Sequence, residues 1–174
     1  MKKLIYIPVF LIIVLISCST NNYSEQILGT WESSVFIDEA KAKAMFKVED
    51  GMEMQATFTT TEQYLRGGRY NAEGDVTFRV SANGQEIPIK LHLRESGSWE
   101  FHDNFLVTIA EDSKVTALDE VTRNIIDNAP EFAEMIEPVK GQSASTEIVS
   151  MTDTDMQVKM EDLPGILVTY QKRQ

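Results

Sequence analysis

Asn83-Gly84 stands between two runs of strict period-two alternation, and no other stretch restricts the fold as tightly. Before it, Val76, Phe78 and Val80 alternate with Thr77 and Arg79. After it, Ile87, Ile89, Leu91 and Leu93 alternate with Pro88, Lys90, His92 and Arg94. Asn-Gly favours a two-residue type I′ hairpin, because both central positions need positive φ. Pairing Ala82 with Gln85 sets Val80 opposite Ile87, Phe78 opposite Ile89 and Val76 opposite Leu91. The six apolar side chains then share one face, and a slip of one residue would turn all of them to water. Turn chemistry and burial select the same register. Pro88 donates no ladder bond, which suits a non-bonded position or an edge.

The same alternation runs through most of the chain. Leu28 to Ile37 reads as a first strand, and Asp38 to Met45 as one or two helical turns behind a capping Asp. Glu49-Asp50-Gly51 reads as a hairpin loop. Met52, Met54, Ala56 and Phe58 then give a strand with one dry face. Glu95 to Ser98 reads as a loop, Trp99 to Phe101 as the next strand, and Asp103-Asn104 as a turn into Phe105 to Ala110. That last stretch is apolar on both faces, so its outer face needs a cover. Leu118, Val121, Ile125, Ala129, Phe132 and Ile136 recur at helical spacing between Asp119 and Glu137 and supply the candidate, with Pro130 splitting the helix. Strands at Thr146 to Met151, Met156 to Met160 and Ile166 to Lys172 follow, the first two joined by a Thr152-Asp153-Thr154-Asp155 turn. Eight or nine short antiparallel strands with few helices indicate a mainly β chain, a barrel or a sandwich. The main helix falls between the sixth and seventh strands of this count.

The N-terminus determines where such a domain resides. Lys2 and Lys3 precede a thirteen-residue apolar run, Leu4 to Ile16, broken only by Tyr6 and Pro8. A membrane-spanning helix needs about twenty apolar residues; thirteen is the length of a secretory signal's core. The run closes on Leu15-Ile16-Ser17-Cys18, a small residue directly before the only cysteine of the chain. It resembles the lipobox of bacterial lipoproteins. The resemblance implies cleavage before Cys18 and acylation of Cys18, hence residues 1–17 as signal peptide, 18–26 as an acylated tether and 27–174 as one domain. The polar Ser19 to Gln26 would reach at most about 25 Å. One acyl chain binds a membrane only marginally, whereas two or three hold firmly. Ser19, where an Asp would retain an enteric lipoprotein in the inner membrane, implies the outer membrane by the same resemblance. With Lys2 and Lys3 removed, the formal charge falls from −11 to −13, a field that repels nucleic acid and anionic headgroups.

Gly29-x-Trp31 on the first strand looks like the opening motif of lipocalins and of bacterial lipocalin-like lipoproteins. Gly97-Ser98-Trp99 with Asp103-Asn104-Phe105-Leu106 is similar to the bacterial group's mid-domain segment, and Ile148 to Met156 is similar to its late hairpin. The last strand ends on a basic residue, Arg173, as the family's does. The resemblance implies a lipocalin-like antiparallel β-barrel with a short helical insertion, and a structural pair in which Arg173 stacks on Trp31 as a cation–π contact.

Catalytic signatures are missing: no G-x-S-x-G, no H-E-x-x-H, no phosphate-cradling glycine loop and no cysteine nucleophile in the domain. The expectation is no enzyme, no cofactor and no metal. Pairing Leu93 with Trp99 across the presumed loop would bring His92 and His102 together beside Glu100, where solvated strand histidines remain the plainer reading. The inward set is Trp31, Met54, Phe58, Phe78, Ile89, Leu91, Trp99, Phe101, Val149, Met151, Met156 and Val158, of which Trp31, Phe58, Phe78, Trp99, Phe101 and Met156 are the candidate ligand-binding residues. An eight-stranded barrel either fills its interior or holds one small ligand. Seven methionines in the mature chain suit an adaptable apolar pocket. The expected function is non-catalytic binding of a small apolar or amphipathic ligand by a membrane-anchored protein. The alternative is a filled barrel that docks a protein partner in the envelope. Arg66-Gly67-Gly68-Arg69 is the one compact basic spot, either a solvated loop or a carboxylate site at a barrel rim.

Overall fold

The computed structural model describes residues 23–46, 51–82, 84–129, 140–160, 163 and 165–174. Among them, eight strands close into one antiparallel barrel, each hydrogen-bonded to its neighbour in sequence and the last to the first. They are β1 (Gly29–Ile37), β2 (Met52–Leu65), β3 (Arg69–Ala82), β4 (Gln85–His102), β5 (Phe105–Ala117), β6 (Ser143–Met151), β7 (Asp155–Met160) and β8 (Leu167–Lys172). Three helices accompany them: α1 (Tyr23–Gln26), α2 (Glu39–Phe46) and α3 (Glu120–Asn128). The expected antiparallel barrel is therefore the fold, and its strand count is eight. Up-and-down connectivity puts α1, the β2–β3 and β4–β5 turns and the C-terminus at one end, the lower one. α2, α3 and the β3–β4 turn lie at the upper end.

The β3–β4 register is the one the Asn-Gly turn dictates: Ala82 pairs with Gln85, Val80 with Ile87, Phe78 with Ile89 and Val76 with Leu91. Gly84 has φ +76°, and Asn83 lies outside the described residues. Val76, Ile89 and Leu91 are buried in an upper core, where Ile125 and Ile126 of α3 pack on them. A larger lower core holds Trp31, Tyr64, Tyr70, Leu106, Met156 and Tyr170 among others.

Several expectations need correcting. Glu95 to Ser98 is no loop: β4 runs unbroken for 18 residues and absorbs an irregularity at Ser96/Gly97 against β5. A Cβ on Gly97 would lie 1.9 Å from the Ile109 carbonyl oxygen, so only glycine allows the strands to approach this closely. β5 continues to Ala117, and the main helix follows the fifth strand rather than the sixth. Val149, expected inside, is 42 % exposed. A bulge between Ile148 and Ser150 breaks the alternation, so Ile148 faces inward in its place, while Met151 packs on the core as expected. The expected split at Pro130, with Phe132 and Ile136, lies outside the described residues, as do Cys18 and the segment before it.

The stretch expected as a tether is structured in its second half. Tyr23–Gln26 forms a helical turn against the lower end, Tyr23 packing on Phe101 with ring centroids 6.0 Å apart. Ile27 behind it is fully buried and its carbonyl accepts the Trp31 indole N–H at 2.6 Å. Gly29, at φ +126°, turns the chain from this cap into β1, and its bare Cα leaves room for the Lys172 side chain.

Lys172, not Arg173, covers the first-strand tryptophan. Its Nζ sits 4.9 Å from the Trp31 ring centroid and donates to the Gln26 carbonyl at 2.8 Å. Strand pairing explains the exchange. Trp31 and Lys172 are direct partners and share a face, so Arg173, one residue on, falls outside and meets Glu32 at 3.5 Å.

α3 is fixed by polar contacts as well as by its apolar stripe. Lys90 lies just past the last β4–β5 pair, Leu91 with Ala117. Its N–H donates to the buried Thr122 Oγ1 at 2.8 Å, and its carbonyl accepts from the Leu118 N–H at 2.9 Å. Asp119 caps the helix by accepting from the Thr122 N–H and lies 3.4 Å from the Lys90 ammonium. That anchorage holds α3 over the upper core. It leaves the outer face of β5 uncovered, with Phe105 and Ile109 about two-fifths exposed.

Candidate ligand cavity

The most distinctive chemistry of the barrel is inside it. Alternation along β2 places Phe58, Thr60, Glu62 and Tyr64 on the inner face. Across the sheet, Glu62 pairs with Ala72, and Ala72 with Glu95. Residues opposite each other share a face, so two carboxylates point inward with one methyl group between them. They line an interior cavity of about 200 Å³ together with Tyr64, Tyr70, Tyr170, Thr108, Thr146 and Met156. The cavity reaches the surface near Gln142 to Ala144, which are exposed.

Tyrosine hydroxyls organise the acids. Tyr64 donates to Glu62 Oε2 at 2.6 Å and Tyr170 to Glu62 Oε1 at 2.8 Å. Tyr70 donates to Glu95 Oε1. The Tyr64 and Tyr70 rings stack with centroids 6.3 Å apart, and Trp99 meets Tyr64 edge-on at 6.0 Å. Burial pushes the Glu62 carboxyl above its ordinary range, the nearby Glu95 charge adds to this, and the two tyrosine hydrogen bonds offset it only in part. What surface Glu62 keeps faces the cavity. Burial also holds Tyr64 and Tyr170 well above the usual phenol range, so both remain protonated donors.

Of the six side chains expected to line a pocket, Met156 alone does so. Trp31 is fully buried under Lys172. Trp99 and Phe101 stack edge-to-face at 6.0 Å, and the Trp99 indole N–H is shared between the Leu65 and Arg69 carbonyls, which pins the β2–β3 turn. Phe58 and Phe78 meet edge-on at 6.1 Å and pack against the upper core. These five are wall and plug. Sequence reasoning missed Glu95 because Glu95 to Ser98 has the composition of a loop, and missed Glu62 and Tyr64 because the β2 alternation was followed only as far as Phe58. Carrying the Met54-Ala56-Phe58 alternation on to Thr60, Glu62 and Tyr64 finds them.

The paired-histidine arrangement does not form. His92 and His102 stand ten residues apart on one strand, roughly 30 Å. His92 Nδ1 lies 2.7 Å from Asp75 and His102 Nε2 lies 2.8 Å from Glu100. Among the described residues no three His, Cys, Asp or Glu side chains are grouped to hold a metal ion. The basic spot forms the β2–β3 turn, where Arg69 meets Glu111 at 2.6 Å and Arg66 approaches Glu25 at 3.9 Å.

Comparison with known protein families and with curated proteins finds no match to this chain.

Proposed function

We propose that the chain is an exported lipoprotein, cleaved before Cys18 and acylated there, whose lipocalin-like barrel binds one small amphipathic molecule without transforming it. The observation that carries the binding reading is the interior cavity with its fixed array of tyrosine and glutamate side chains. Its volume suits a molecule of about ten heavy atoms, smaller than the several hundred Å³ of a drug-sized pocket. The lining favours a ligand with a polar head over a wholly apolar one, because an apolar ligand would cover the two carboxylates without meeting their remaining acceptor positions. The anchoring reading rests on the lipobox-like Leu15-Ile16-Ser17-Cys18, and Ser19 favours the outer membrane.

Native mass spectrometry of the protein released from envelope membranes tests the first half: a stoichiometric adduct of one to two hundred daltons is expected. Bare protein under conditions that preserve the fold would count against it. Globomycin should block precursor processing, and Cys18→Ala should leave the protein unanchored. Unchanged processing and localisation would remove the second half.

A further inference from the structure

We propose that the barrel's ligand is a small primary amine, its ammonium head bound by Glu62 and Glu95 and its body held against the tyrosine rings. The inference rests on the small-ligand reading above and names the chemistry of that ligand.

Two acids on a surface would be an ordinary solvated pair. These line a cavity whose lining, among the described residues, contains two glutamates and no lysine, arginine or histidine. Three of the barrel's cations are engaged elsewhere: Lys172 is on Trp31 and Gln26, Arg69 on Glu111, and Lys90 on Asp119. Spacing suits the head group. Glu62 and Glu95 sit two strands apart with Ala72 between, about 10 Å from Cα to Cα. The short Ala72 side chain leaves a notch between two carboxylates that reach inward from either side.

Valence suits it as well. An ionised carboxylate offers about four lone-pair positions, and an ammonium has three N–H donors and no acceptor. Glu62 accepts from two tyrosines and Glu95 from one, so both keep free acceptor positions. Neutral tyrosine hydroxyls cannot neutralise the pair; they orient it. A bound ammonium would supply the missing charge, and the tyrosine faces would favour a cation further. An anionic ligand would add a third negative charge to the same space. Glu62 is raised above its ordinary range chiefly by burial and further by the Glu95 charge, and a bound ammonium would draw it back toward its charged form.

Isothermal titration of the full chain in detergent, with phenethylamine, 2-phenylethanol and 3-phenylpropionate as matched probes, tests the proposal. The amine should bind at least tenfold more tightly than the alcohol, and the carboxylate should not bind. Glu62→Gln and Glu95→Gln, each checked by circular dichroism for the wild-type fold, should each weaken amine binding at least tenfold and leave the alcohol unaffected. Should Glu62→Gln disturb folding, Glu95→Gln carries the test. Amine and alcohol binding equally well would overturn the amine assignment while leaving a small-ligand barrel. Amine affinity unchanged in both variants would overturn the assignment to these two acids. No binding of any probe at millimolar concentration would overturn both this inference and the reading on which it rests.

Discussion

Glu62 sets a pH signature that differs in sign from that of most carboxylates. A salt-bridged acid has a lowered folded pKa and destabilises its fold as it is protonated. Glu62 is raised above its ordinary value of 4.5 by burial, so the folded chain binds its proton more tightly than the unfolded chain does. Its contribution to stability is complete below about pH 4.5 and is lost as pH rises through the folded pKa. Glu62→Gln preserves the side chain's shape and removes this titration. Urea unfolding from pH 4 to 8 should show the variant gaining on the wild type as pH rises, and parallel curves would refute a raised Glu62 pKa. Asp119 has the usual sign. Its pKa is lowered by the capping N–H and side chain of Thr122, so its stabilisation is present above the unfolded value and fades in acid. The sequence carried these two unequally. Asp119 bounds the helical apolar stripe, so its place at a helix start shows in the spacing. Glu62 sits in Thr59-Thr60-Thr61-Glu62-Gln63, a wholly polar stretch whose inward face shows only if strand parity is carried through it.

The contrast recurs among the elements. The β3–β4 hairpin was legible to the residue, because a turn requirement and a buried face agreed on one pairing. β4 was not, because Glu95-Ser96-Gly97-Ser98 has turn composition and gives no local sign that the strand continues. What keeps it extended is long-range: Gly97 lies against Ile109 of β5, with the Tyr70 ring 2.9 Å from where its Cβ would be. Gly97→Ala should cost about 1–3 kcal/mol, the range for overpacking a close contact, and should disturb the Tyr70 contact with Glu95. Near-ultraviolet circular dichroism and urea unfolding would show both, and an unaltered midpoint would mean the bulge adapts. α3 depends on a different kind of long-range contact. Thr122→Val keeps the side chain's shape but strips the acceptor from the Lys90 N–H. Leaving a buried donor unsatisfied costs about 1–3 kcal/mol. The loss should appear as faster hydrogen exchange at Lys90 and in α3, with the lower barrel little changed.

For the whole molecule, the decisive fact is which end of the barrel the N-terminus leaves. Tyr23 is packed on Phe101 and Lys172 holds the Gln26 carbonyl, so the folded domain begins at the lower end. Only four residues separate Tyr23 from Cys18, five Cα steps that fully extended span roughly 17 Å. On the lipoprotein reading, the lower end would stand within that distance of the bilayer. The 18 residues of β4 cover about 60 Å of strand, and a tilt of about 40° leaves roughly 45 Å along the barrel axis. The β3–β4 turn and α3 would then project well clear of the headgroups. On that reading acylation would consume the only native thiol, so Asp153→Cys in the lower β6–β7 turn and Glu86→Cys beside the upper hairpin can each carry a single fluorophore. In vesicles with acceptor-labelled headgroups, the fluorophore at position 153 should transfer energy strongly and the one at position 86 only weakly. The cavity lining at Gln142 to Ala144, bonded to β5 at Ala110, would then stand above the lower rim, where a water-soluble amine could reach it. Equal transfer from both sites would mean that the barrel lies on its side, and the access route would have to be redrawn along the membrane surface.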